Sequence, residues 1–274
     1  MFYNYLVYFF IFVLGLIVGS FLNCVIYRLA LPNFSLKNLG GLKNRSHCPH
    51  CKHQLSWPDL IPVLSFFILK GKCRYCQKNI SWQYPLVEIA TGALFLLIFN
   101  FSAFAEASAD KQFLSLFYYL IITCFLIVIF VYDLKHYIIP DKVIYPTIVI
   151  VFLYRLFENW KLEIGNWQSL LNPLFSAFLA ASFFLLIVLL SKGKWLGVGD
   201  IKLAFLMGLF LGWPDILVAL FLAFLIGAII GIGLMVFGGK TLKSELPFAP
   251  FLITGTFLAL FFGQEIINWY WHFF

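Results

Sequence analysis

Long apolar runs constrain this chain more than anything else in it. Eight of them, near residues 3–27, 84–101, 113–132, 142–157, 171–191, 200–212, 215–237 and 248–270, fill more than half of its 274 residues. Lipid offers no partners for backbone N–H and C=O groups, so such runs cross a bilayer only as helices or as a closed barrel. None of them alternates apolar and polar residues with a period of two, which argues against the barrel. The expectation is an all-α, polytopic membrane protein with about eight transmembrane helices. Charged residues make up 11% of the chain, against about 25% in a soluble domain. The first run begins at Met1 with no basic residue before it, so it reads as a retained helix rather than a signal peptide.

The formal net charge of +7 has a topological meaning. Arg28, Lys37, Lys43, Arg45, Lys52, Lys70, Lys72, Arg74 and Lys78 lie between the first two runs, against the single acid Asp59. Lys135, Lys142, Lys192, Lys194, Lys240 and Lys243 fall on the same side. The opposite loops hold only Lys111, Arg155 and Lys161, beside Glu106, Asp110, Glu158 and Glu163. Basic loops stay in the cytoplasm, and they attract anionic headgroups. No aromatic-basic platform accompanies the charge, so lipid rather than nucleic acid is the expected partner. The chain then divides into a first transmembrane helix, 1–27, a polar cytoplasmic segment, 28–83, and a membrane-embedded remainder, 84–274.

A segment as small as 28–83 buries too little apolar surface to hold itself together without a staple. It contains Cys48-Pro49-His50-Cys51 and Cys73-Arg74-Tyr75-Cys76, separated by the 21 residues 52–72. Two such pairs make a tetrahedral Cys₄ set of the kind that holds structural zinc. A cytoplasmic location disfavours disulfides. Two unrelated pairs, or a redox motif, are the competing reading. His47, His50 and His53 crowd the first pair, but four cysteines already close a structural site. Cys24 and Cys124 lie in apolar runs and read as small hydrophobes.

Three acids stand at the cytoplasmic edge of the membrane half. Asp133 ends the third run, Asp141 follows Ile139-Pro140 and opens the fourth, and Asp200 follows Gly197-Val198-Gly199 where the sixth begins. Helix capping is the favoured reading of Asp141, and for Asp200 it competes evenly with a functional one. Asp133 and Asp200 sit at one depth on one side, and acids at such positions usually face an interior or a wet cavity. Two carboxylates sharing a water are the minimal machinery of aspartic proteolysis. Helix ends favour Asp200, at an N-terminus, as base and Asp133, near a C-terminus, as proton donor.

Nearly the whole chain resembles the type IV prepilin peptidases, membrane aspartic peptidases of the GxGD class. Gly19-Ser20-Phe21-Leu22-Asn23 with Tyr27-Arg28-Leu29, the paired cysteine motifs, Tyr84-Pro85-Leu86-Val87-Glu88, Asp133 through Ile139-Pro140-Asp141, and Gly197-Val198-Gly199-Asp200-Ile201-Lys202-Leu203 carry the likeness in order. Pro247-Phe248-Ala249-Pro250 departs from it, with alanine where glycine is usual. The resemblance implies cleavage of the short basic leader of prepilins or pseudopilins at the cytoplasmic face of the bacterial inner membrane, with Asp133 and Asp200 as catalytic pair. It implies zinc on Cys48, Cys51, Cys73 and Cys76. It also implies N-methylation of the new terminus from S-adenosylmethionine, for which Gly71-Lys72 is the candidate position. Two rivals compete: a proton-coupled transporter using the acids as a relay, and a zinc-loop adaptor without chemistry.

Overall fold

A computed structural model describes residues 2–31, 45–104, 109–161, 168–193, 195–238 and 246–273. Lys37, Lys43, Lys194, Lys240, Lys243, Glu106 and Glu163, used above for orientation, lie outside the described residues. Helices α1 (Phe2–Leu29), α3 (Gln83–Phe104), α4 (Ala109–His136), α5 (Asp141–Lys161), α6 (Gln168–Ser191), α7 (Val198–Leu211), α8 (Asp215–Gly238) and α9 (Ala249–Phe273) fall on the eight apolar runs. A short α2 (Leu64–Ile68) lies in the polar segment, after a 3-10 turn at Trp57–Leu60. The β-type pairings among the described residues are isolated bridges, His47 with Gln54 and Lys72 with Asn79.

Among the described residues, six helices are long and apolar enough to cross a membrane: α1, α3, α4, α6, α8 and α9. The other two runs are helical but different. α5 carries Asp141, Lys142, Arg155, Glu158 and Lys161 towards its ends. α7 has 14 residues, a length of about 21 Å against a hydrocarbon core of about 30 Å.

The chain forms two compact units, residues 1–128 and 129–274, and α4 runs through both. In the first, α1 packs along α3. A Cβ placed on Gly15 would stand 2.6 Å from the Gly92 Cα, so the two backbones touch where only small residues fit. Leu22, Ile26, Val87, Phe95 and Ile98 are buried in this unit.

In the second unit, α6 packs on α7, α8 on α9, and α5 and α9 also touch α7. Leu203, Ala204, Leu206, Met207 and Leu209 bury α7 on its successive faces, as an all-round apolar helix requires. α7 ends at Gly212, whose φ is +81°. Its last carbonyls, with no following turn to bond them, find Arg155 of α5 instead. The Arg155 Nε donates to the Leu209 carbonyl at 3.3 Å, and Nη2 donates to that of Phe210.

Candidate active site and metal centre

Asp133 and Asp200 are both buried in the second unit, at 5% and 9% exposure. α4 continues one turn past Asp133, to His136. α7 starts at Val198, so Asp200 is its third residue and not its cap. Its carboxylate turns back to accept the Gly197 N–H at 3.0 Å. A Cβ on Gly199 would crowd the Ile139 side chain at 3.2 Å. The start of α7 therefore rests against the Ile139-Pro140 turn.

The two carboxylates are near enough for the Asp133 charge to act on Asp200. The backbone N–H of Ala249, the first residue of α9, faces the Asp133 carboxylate. That amide alters the expected division of roles. Asp133 stands near the end of its own helix but also at the start of another, so the helix-end argument no longer separates the two acids. Asp141 departs from its expected capping role. The Pro140 carbonyl accepts the first N–H groups of α5, from Val143 and Ile144, and Asp141 instead binds the Lys202 ammonium at 2.5 Å.

In the first unit the four cysteines converge. The sulfur atoms of Cys48, Cys51, Cys73 and Cys76 all lie within 4.8 Å of one another. Cys48 and Cys76 are 3.9 Å apart, close to the tetrahedral edge of about 3.8 Å that follows from metal–sulfur bonds of about 2.3 Å. The two pairs are built alike. The Cys48 N–H bonds the His53 carbonyl and the Cys73 N–H bonds that of Lys78, each at 2.9 Å. Lys52 and Gln77, directly after each second cysteine, take φ of 59° and 58°. Burial disfavours a charged Cys48, but the Cys51 and His50 N–H groups and the neighbouring thiols outweigh it and bring the thiol down to about 7. At Cys76 the Lys78 N–H favours the thiolate, yet desolvation and the three other sulfurs prevail and push it up to about 11. Four thiolates together need a cation at their centre, and the donor set suits a soft, tetrahedral divalent ion. The three nearby histidines are not part of this cluster: His53 stacks on Tyr75 at 3.8 Å and His47 meets the Tyr27 ring edge.

A pocket of about 390 Å³ lies beside the second pair, walled by Phe66, Phe67, Lys70, Gly71, Ile80 and Trp82. Gly71 has a φ of +68°, and a Cβ on it would press the Phe66 ring at 3.3 Å. The structure thus brings Gly71 to the pocket wall. Lys72 is not part of that wall and pairs through its backbone with Asn79.

Sequence reasoning gave no site role to Asp59, Glu88 or Arg155. Asp59 accepts from Arg74 and from the Ser56 hydroxyl, each at 2.7 Å, tying the 3-10 turn to the second cysteine pair. Burial opposes its charge, but Ser56 and Arg74 outweigh that and hold its carboxyl below the usual range. Its signal was present in the sequence: it is the lone acid in a basic segment.

Membrane-crossing helices, a buried acid pair and a four-thiol cluster able to hold a metal ion define a multi-pass membrane protein. The Bacterial Peptidase A24 N-terminal domain matches residues 13–101, and the Type IV leader peptidase family matches residues 120–232. The prepilin leader peptidase/N-methyltransferase of Bacillus subtilis is 32% identical over 263 residues, 95% of this chain and 96% of that protein. The protein of the same name from Pseudomonas aeruginosa is 30% identical over 280 residues, 95% of this chain and 92% of that protein. The Aeromonas hydrophila protein is 29% identical, with the same coverage of both chains. No solved structure matches the chain. The chain belongs to the type IV leader peptidase family, which bears out the resemblance drawn from its motifs.

Proposed function

We propose that this chain cleaves the short basic leader from type IV prepilins or pseudopilins, and then N-methylates the new terminus, at the cytoplasmic face of a bacterial inner membrane. The observation that carries the reading is the pairing of Asp133 and Asp200, both buried and each facing a backbone N–H at a helix start. Cleavage needs one ionised and one protonated carboxyl. The ionised acid takes a proton from water as its oxygen bonds the scissile carbonyl carbon, while the protonated acid donates to the carbonyl oxygen. The C–N bond then breaks and the amine takes a proton from the pair. The two acids titrate as a unit, so either can start as base. Membership of a leader peptidase family argues against proton-coupled transport and against a zinc-loop adaptor without chemistry.

The division of labour follows the expected segments. Residues 84–274 hold the acids, and residues 28–83 hold zinc on Cys48, Cys51, Cys73 and Cys76. That zinc is structural, since protein fills all four of its positions. S-adenosylmethionine, when bound, supplies an electrophilic methyl group. The pocket beside the second cysteine pair suits it: Phe66, Phe67 and Trp82 offer ring faces to a purine and a sulfonium, and Lys70 offers a cation to a carboxylate. Gly71 keeps the wall low, and Lys72 braces the adjoining turn. The test is mass spectrometry of a prepilin incubated with purified protein, with and without S-adenosylmethionine. Leader loss should occur in both arms and a methyl gain in one. Asp133→Asn and Asp200→Asn should each abolish cleavage, and normal cleavage by either would sink the assignment.

A further inference from the structure

Neither reaction uses Glu88, yet it is a carboxylate inside α3 with 6% exposure. Acids so placed in a membrane helix are costly and need partners. Glu88 meets two groups, from different parts of the first unit. The Val63 N–H donates to Oε2 at 2.7 Å, and Ser20 of α1 lies beside the carboxyl. Gly19 makes this possible, because a Cβ there would stand 2.7 Å from the Glu88 Cα. One turn away, Asn23 of α1 donates to the Tyr84 carbonyl and accepts from Gln83, each at 3.1 Å. The motifs Gly19–Asn23 and Tyr84–Glu88 thus form one polar clasp between α1 and α3, and the amide it reaches out to hold is that of Val63.

Val63 is the unusual partner. It sits at φ 61°, ψ −51°, directly before α2, a conformation that is an outlier for a β-branched residue. Such strain persists only where the surroundings over-determine it. Three residues on, Phe66 is buried and faces Trp82 at 4.8 Å between ring centres. The Phe66 carbonyl accepts the Gly71 N–H at 2.8 Å, and the Gly71 carbonyl accepts that of Ile80 at 2.7 Å. The pocket walls therefore follow from where α2 begins.

We infer that Glu88 is a positioning residue for the adenosyl-binding pocket: by holding the Val63 amide it sets the start of α2 and hence the Phe66–Trp82 wall. This rests on the reading of that pocket as the methyl-donor site. The probe is S-adenosylhomocysteine, titrated by calorimetry into full-length protein in detergent. Glu88→Leu, which removes the acceptor, should weaken binding by about tenfold, as expected when an amide loses its acceptor. Glu88→Gln keeps a side-chain oxygen for Val63 and should restore most of the affinity. Zinc content and leader cleavage report whether each variant is folded. Hydrogen exchange on unmodified protein gives a second measurement, in which the Val63 amide should exchange slowly. Fast exchange there, or wild-type affinity in Glu88→Leu, overturns the inference. Failure of the unmodified protein to bind the probe, or unaltered binding in Trp82→Ala, overturns the pocket reading instead.

Discussion

Arg155→Met offers a sharp test of how the second unit holds Asp200. Methionine keeps an unbranched apolar stem and removes the guanidinium. Two bonds to α7 are lost, from Nε to the Leu209 carbonyl and from Nη2 to that of Phe210, together with the Nη1 bond to Glu158 at 3.1 Å. Hydrogen bonds from a charged donor contribute about 1.5–3 kcal/mol each, so the two carbonyl bonds account for about 3–6 kcal/mol. The exposed Glu158 pair adds less than about 1 kcal/mol. The Arg155 side chain retains 20% exposure, so water can reach the carbonyls and recover part of the loss. A net cost of about 2–4 kcal/mol remains, or about 5 °C or more in a protein of this length. Thermal unfolding in detergent reads the shift directly. Cleavage should fall beside it, since α7 carries Asp200 at its other end. Unchanged unfolding and unchanged cleavage would falsify the claim that Arg155 closes α7.

Asp141→Asn should retain most cleavage, because its exposed pairing with Lys202 contributes less than about 1 kcal/mol; a dead variant would mean that the wrong acids have been paired. Ala249→Pro removes the N–H that reaches Asp133 but suits a first helical residue, so kcat for cleavage should drop with little change in KM. Ala249→Gly keeps that N–H and should cleave readily, and equal rates in the two variants would discard a role for it. Cys48→Ser/Cys51→Ser should lower zinc from one per chain, measured by elemental analysis. It should also reduce methyl incorporation more than cleavage, and full methylation of a pre-cleaved peptide by that variant would place the donor site elsewhere.

The helices were legible because their cause is local. An apolar run of sufficient length leaves the backbone no alternative in lipid, and Gly212-Trp213-Pro214 marked the end of α7 in advance. The cysteine set was legible for a similar reason, since each pair forms its turn within a few residues and the bridges flanking it close over the same short span. Asp133 and Asp200 stood out as acids in an apolar setting. The short α7 was visible as a short run, but its burial inside the second unit was not, because composition cannot tell lipid from protein as a neighbour.

What the sequence determined by itself is therefore what each segment must bury and which turns it can make. Tertiary structure decided which polar group meets which. Asp133 gains the amide of Ala249, Glu88 that of Val63, the end of α7 the guanidinium of Arg155, and Asp141 the ammonium of Lys202 in place of a cap. Each of these pairs joins residues far apart in the chain, and periodicity carries no record of a distant partner. The physical reason is that hydrophobic burial is non-directional and summed over a segment. A hydrogen bond is directional and needs its two atoms about 3 Å apart, a condition that only the packing of one helix on another can meet.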